Sequence, residues 1–257
     1  MHNSFNKLAK KVRKQIILIS HKAKSSHVGS CLSIVDIIVV LYKSILKKNI
    51  FILSKGHAGL AIYCLLAEIG KIKKKILLTY GKDKTSLMQH ASHKVKGVKF
   101  STGSLGHGLP VATGIALSDK LNRKKNITYV LISDGELNEG MIWEAIMFAG
   151  HQQLTGLTCI VDRNRLQQGA LTEETNSLDP LDAKFEAFGW DATVIDGHDH
   201  DALREAILAA GAKPRAVIAE TTKGKGVSFM ENLAVWHHKV PSADQFAQAL
   251  AEVNETR

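Results

Sequence analysis

Two stretches of this chain put hard oxygen ligands where a strand would end. Tyr129–Ile132 is an apolar β-type run that leads into Ser133-Asp134-Gly135-Glu136-Leu137-Asn138-Glu139-Gly140. Leu157–Val161 is a second, leading into Asp162-Arg163-Asn164. Between them Ile142, Ala145, Ile146 and Ala149 recur at helical spacing, so the whole reads strand–helix–strand. An acid and a glycine at a strand's carboxyl end, facing a helix amino terminus, can hold a phosphate together with its cation. The glycine lets backbone approach, the helix end offers N–H donors, and the acid is an oxygen ligand. A right-handed crossover between parallel strands sets the two ends side by side. Asp134 and Asn164 are thereby placed to share one ion. Taken alone, Asp-Gly after a strand is equally an ordinary turn.

Histidines form the second set. His27 stands in Ser-His-Val-Gly, His57 in Ser-Lys-Gly-His, His90 and His93 in Gln-His-Ala-Ser-His, and His237 in Trp-His-His-Lys. One histidine beside a glycine is usually a turn or surface residue. Several in such contexts offer groups that titrate in the range needed to move protons.

The elements that must carry these residues alternate. Residues 5–24 place Leu8, Val12, Ile16 and Ile19 on one helical face with lysines around it. A basic amphipathic helix can lie on a membrane, but in a globular chain it packs on a core. Leu32–Leu46 reads as the next helix, Ser54-Lys55-Gly56-His57 opens one that runs through Ile69, and residues 72–97 are lysine-rich with weak periodicity. Ser101-Thr102-Gly103-Ser104-Leu105-Gly106-His107-Gly108 opens a helix to about Leu121. No β run precedes that glycine-rich stretch, which excludes a dinucleotide fingerprint. Beyond the central unit come a helix at Leu181–Phe188, a strand at Thr193–Ile195, a helix at Asp201–Ala210, a strand at Ala216–Glu220 and a helix at Ala243–Val253. The alternation predicts an α/β fold, a doubly wound and mainly parallel sheet with helices on both faces.

A chain of 257 residues can bury one large α/β core. Ser33–Tyr42 is the most apolar window and Asp36 interrupts it, so no membrane span is expected. No secretory segment follows the amino terminus. Cys31, Cys64 and Cys159 are odd in number and scattered, which fits reduced thiols in a cytoplasmic protein and not a zinc cluster. Charge is uneven: residues 1–125 hold 24 Lys and Arg against 4 Asp and Glu, and the remainder 10 against 20. The lysines alternate with isoleucines and lack aromatic or arginine-rich patterning, so they read as a solvated face and not as a nucleic-acid surface.

Asp134-Gly135-Glu136, with Asn164 following the Asp by thirty positions, resembles the thiamine diphosphate signature, which has Gly-Asp-Gly and then Asn about twenty-five to thirty residues on. Ser133 stands where the signature usually has its first glycine. Together with the four histidine contexts, Ser-Thr-Gly-Ser-Leu-Gly and Lys223-Gly224-Lys225-Gly226-Val227-Ser228-Phe229, the chain resembles the amino-terminal, diphosphate-binding part of transketolase over nearly its whole length. It departs from that pattern between Leu46 and Ser54, where the family carries a longer, arginine-bearing loop, and at the basic run 71–75.

The resemblance implies a single diphosphate-binding domain over residues 1–257. It also implies Asp134, Asn164 and the Leu166 carbonyl as ligands of Mg²⁺ or Ca²⁺, with Gly135 against the diphosphate. Gly103 and Leu105 would meet the aminopyrimidine ring. His57 and His237 would contact the cofactor and reacting centre, and His27 and His90 the sugar hydroxyls, with His90 chosen over His93 by its spacing from Gly97. Glu139 and Glu144 match paired interface glutamates. The pyrimidine-binding and carboxyl-terminal domains of the family are expected on a partner chain, with two copies of each chain in the assembly. The expected activity is two-carbon ketol transfer between sugars or sugar phosphates. Two rival readings are the α-type subunit of a thiamine-dependent 2-oxo-acid dehydrogenase or decarboxylase, and a catalytically degenerate relative.

Overall fold

The computed structural model describes residues 2–46 and 49–255. Strands β1 (Ile50–Leu53), β2 (Thr128–Ser133), β3 (Leu157–Arg163), β4 (Asp191–Asp196) and β5 (Arg215–Glu220) form one sheet in the order β1-β2-β3-β5-β4. Every neighbouring pair is parallel. β2 and β3 are buried along their full length, as strands covered on both faces are.

Successive side chains of a strand point to opposite faces, and here they feed two cores. Tyr129 and Leu131 join Leu53, Ile160 and Val217 in one; Val130 and Ile132 join Ile52, Cys159 and Ile218 in the other. Helices α1 (His2–Ala23), α2 (Val28–Ser33), α3 (Val35–Val40), α4 (Gly59–Glu68), α9 (His200–Leu208) and α10 (Ala243–Glu255) close the first core. Helices α5 (Gly108–Leu121), α6 (Gly140–His151) and α8 (Leu181–Ala187) close the second. A single turn, α7 (Thr172–Thr175), follows β3. The doubly wound parallel sheet is therefore as expected.

The lysine-flanked stripe of α1 faces protein: Val12, Ile16 and Ile19 are buried, and Leu8 packs against the same core. No helix among the described residues is long and apolar enough to cross a membrane.

Two elements differ from the sequence reading. Ile50–Leu53 is a strand, paired from Ile50 opposite Thr128 to Leu53 opposite Leu131, so the chain reaches Ser54 from the sheet. Leu32–Leu46 is not one helix: α2 stops at Ser33, α3 begins at Val35, and Leu41–Ile45 is a π-helical turn in which Leu46 N–H donates to the Leu41 carbonyl. Tertiary bonds account for the break. Ser33 Oγ donates to Asp162 at 2.8 Å, while Asp36, three residues on, turns away to Arg13, His198 and His200.

Candidate active site

β2 and β3 run in register, Ser133 beside Asp162, so Asp134 and Asn164 emerge at the same sheet edge. Asp134 N–H donates to the Asp162 carbonyl at 3.2 Å. The Asp134 carboxylate is fully buried: Oδ1 accepts from Gly135 N–H at 2.8 Å, and Oδ2 from Arg165 N–H at 2.5 Å and Arg163 Nη1 at 3.5 Å. Burial and the neighbouring Asp162 push this carboxyl up to about 6, against the pull of Arg163. Asn164 is fixed on both ends of its amide. Its Nδ2 donates to Asp162 at 3.0 Å and its Oδ1 accepts from Leu166 N–H at 3.2 Å. The Leu166 carbonyl accepts from the Lys223 ammonium at 3.4 Å, so this carbonyl already faces a cation.

Above these groups lies a cavity of 550 Å³. It brings together His27, His57, His90, Gly103, Leu105, Gly135, Glu139, Asn164, Leu166 and His237, residues drawn from segments more than two hundred positions apart. Asp134 sits beneath, between lining residues Ser133 and Gly135. Two glycines permit the approach of these segments. A Cβ on Gly56 would lie 2.3 Å from the Thr102 carbonyl, so the His57 loop touches the Gly103 loop backbone to backbone. A Cβ on Gly135 would lie 2.8 Å from Gln167 Cβ, filling the gap beside the strand-end oxygens.

The imidazoles cluster, with ring centroids 5.0 Å apart for His27 and His237, 5.3 Å for His27 and His57, 5.4 Å for His57 and His237, and 6.3 Å for His27 and His90. His27 takes a left-handed backbone, φ 67°, in which its N–H donates to the His237 carbonyl at 2.9 Å. Burial first, then neighbouring positive or ionisable groups, lowers His27 to about 4 and His237 to about 3, and holds His57 well below its ordinary value. These rings are neutral at physiological pH and can take a proton. Lys223 Nζ donates to His237 Nδ1 at 3.1 Å, which leaves the ring's own proton on Nε2.

Two buried lysines give the cavity floor its sign. Lys55 pairs with Asp162, which also accepts from Thr221 Oγ1. Burial raises Asp162, but Lys55 and these hydroxyls outweigh it, and the carboxyl stays below its ordinary value. Burial lowers Lys223 to about 8, with Lys55 adding to the effect. His27, His237 and His238 bring ring nitrogens within 4.8 Å of one another, a spacing that could grip a metal. Lys55 and Lys223 add positive charge around this cluster. That corner suits an anion such as a diphosphate, and a metal cation suits the oxygens of the strand ends.

Other expected residues fall elsewhere. His93 is exposed, its ring on Ser101 Oγ at 2.7 Å, outside the cavity that His90 lines. Glu144 is exposed on α6. The sequence reading assigned no role to Lys55, Lys223 or Glu136. Glu136 is fully buried and ties three site segments, accepting from Ser54 Oγ at 2.5 Å, Gly106 N–H at 2.9 Å and Ser133 N–H at 3.3 Å. Lys55 and Lys223 both lay inside quoted motifs, which was the available signal.

Residues 4–252 match the family described as transketolase, thiamine diphosphate binding domain. The chain is 40% identical over 260 residues to an apulose-4-phosphate transketolase subunit of Phocaeicola vulgatus, covering 96% of this chain and 92% of that protein. It is 36% identical to a 6-deoxy-6-sulfo-D-fructose transketolase subunit of a Clostridium species, covering 95% and 94%. Against human transketolase the identity is 36%, over 95% of this chain and 41% of that one. The solved transketolase of Campylobacter jejuni superposes with a TM-score of 0.90 at 26% identity, over 97% of this chain and 42% of that chain. The chain thus spans about two fifths of the length of the solved transketolases it matches. With the family's fold, its signature residues and a relative of matching length in agreement, the chain belongs to the transketolase family of transferases, and the part of that family it carries is the thiamine diphosphate-binding domain.

Proposed function

We propose that this chain is the cofactor-binding subunit of a two-chain transketolase, a cytoplasmic enzyme that moves a two-carbon ketol unit from a ketose or ketose phosphate to an aldose. The observation that carries this reading is one cavity uniting strand-end oxygen ligands, a lysine floor and four histidines, of which burial keeps His27, His57 and His237 neutral. Asp134, Asn164 and the Leu166 carbonyl fit Mg²⁺ or Ca²⁺, both of which take oxygen donors, and Lys223 already supplies a positive charge to one of the three. Lys223 would face the anionic diphosphate, while the Lys55 charge is already shared with Asp162. Thiamine diphosphate, when bound, supplies the carbon that accepts and hands on the ketol unit.

The chain's own side chains do the rest. Gly103 and Leu105 border the cavity where backbone groups can orient the ring end of the cofactor. His27 and His90 line it where a sugar hydroxyl can reach either ring, and burial keeps the His27 ring neutral. His57 and His237 stand 5.4 Å apart in the same cavity, where they would contact the bound cofactor, and His237 presents its Nε2–H as a donor. Turnover by the assembled enzyme should fall in His90→Ala far more than in His93→Ala. The opposite order in steady-state kinetics would put His93 in the reaction.

A partner fits the face of α6. Met141, Met147 and Phe148 are exposed there around Glu144, with Glu139 just before the helix, so the face mixes apolar side chains with two acids. Relatives of matching length are themselves named as subunits of transketolases. The partner is inferred to supply the pyrimidine side of the site, in an assembly with two copies of each chain. The test is a ketol-transfer assay with this chain, then with the separately purified pyrimidine-domain partner mixed in. Activity only in the mixture is expected. Full turnover by this chain alone, in a preparation free of host transketolase, would refute the two-chain arrangement.

A further inference from the structure

Arg163 is the last residue of β3, and its side chain is 1% exposed. A guanidinium keeps its charge in any protein environment, so burial obliges it to find carboxylates. It finds three. Nη2 donates to Glu173 at 2.6 Å and to Asp179 at 3.0 Å, while Nη1 donates to Thr172 Oγ1 at 2.7 Å and reaches Asp134 Oδ2 only at 3.5 Å. The three carboxylates are not equivalent. Asp134 is 1% exposed and fixed at the strand end, whereas Glu173 and Asp179 are 33% and 46% exposed and reach in from the surface segment made by α7 and the residues after it. The two surface acids can withdraw; Asp134 cannot.

We propose that Arg163 is a positioning residue for the cation site, held off Asp134 by Glu173 and Asp179 so that the Asp134 carboxylate stays open to a divalent ion. The proposal rests on Asp134 being a cation ligand. With the segment seated, the short bonds of Arg163 go to Glu173 and Thr172, and Asp134 keeps its remaining valence. With the segment lifted, the buried charge has Asp134 as its one remaining carboxylate among these three, and the ion pair that forms excludes the metal. The coupling runs both ways: an ion that draws Asp134 away from Arg163 strengthens the hold of Glu173, and so tightens residues 172–179.

The experiment titrates Mg²⁺ into the full chain at fixed thiamine diphosphate and follows amide hydrogen exchange in residues 170–178. Glu173→Gln keeps an acceptor for the neighbouring amides yet removes the charge. It should weaken Mg²⁺ binding by about 10-fold or more, the scale of lost outer partners at metal sites. Arg163→Met should bind at least as tightly as the wild type, and the double variant should resemble Arg163→Met, because no cation is left to close Asp134. Exchange in 170–178 should slow when Mg²⁺ and thiamine diphosphate are added. Unchanged affinity in Glu173→Gln, a double variant as weak as that single one, or exchange indifferent to the ion overturns the role of Arg163. Mg²⁺ affinity that survives Asp134→Ala overturns the cation reading itself, a separate outcome.

Discussion

Asp134→Ala is expected to abolish Mg²⁺-dependent uptake of thiamine diphosphate, read by isothermal titration on the assembled enzyme. The substitution removes the one carboxylate among the three proposed ligands, leaving an amide and a carbonyl to hold a divalent ion against a diphosphate. Loss of binding could also follow from loss of fold, and the buried carboxylate separates the two. Its pKa rises from 3.8 to about 6 on folding. A raised acid binds its proton more tightly in the folded chain, so the ion-free protein loses stability as pH climbs from about 4 to about 6 and does not regain it above. An ion-free Asp134→Ala chain that is folded should still melt cooperatively, but without the loss of stability between about pH 4 and about pH 6 that the ionising carboxyl imposes on the wild type. Unchanged cofactor affinity in the variant would remove Asp134 from the site.

His27→Ala and His237→Ala should each leave cofactor affinity nearly intact and lower kcat by ~10²–10⁴-fold, the range for a lost acid–base group. Both rings face the cavity, and burial keeps both neutral, with values of about 4 and about 3. Neither ring holds an ion pair whose loss would unsettle the core. Single-turnover kinetics with the reconstituted pair is the measurement. A variant that retains kcat and only assembles less well would reassign that histidine to structure.

The unit β2–α6–β3 was legible because both strands are long apolar runs buried on two faces, with a helical stripe between. β1 was not, since four residues following a lysine-rich stretch become a strand only by pairing with β2. The break at Ile34 was hidden for a related reason. A continuous apolar run has no local reason to stop, and the reason lies in Asp162, 129 positions from Ser33. The histidines and strand-end oxygens could be read from their motifs. Lys55, Lys223 and Glu136 could not be given roles, because lysine and glutamate are surface residues by default. Only the fold shows Lys55 and Glu136 sealed in: the partner of Lys55 is 107 residues away and Ser54 lies 82 residues from Glu136. The basic excess before residue 125 resolves likewise: most of its described lysines are exposed, and Lys55 alone among them enters the site.

The cavity takes its walls from His27 at one end of the chain to His238 at the other, by way of the ends of β1, β2, β3 and β5. No fragment of the fold could bind the ligand by itself, so ligand occupancy measures the intact native state. A ligand that binds only that state stabilises it by mass action, by about 2.7 kcal/mol at a hundredfold excess over Kd. Against total stabilities of about 5–15 kcal/mol for native proteins this is a large share. The vitamin supply of a cell would then set how much of this protein survives its proteases, as well as how much of it works.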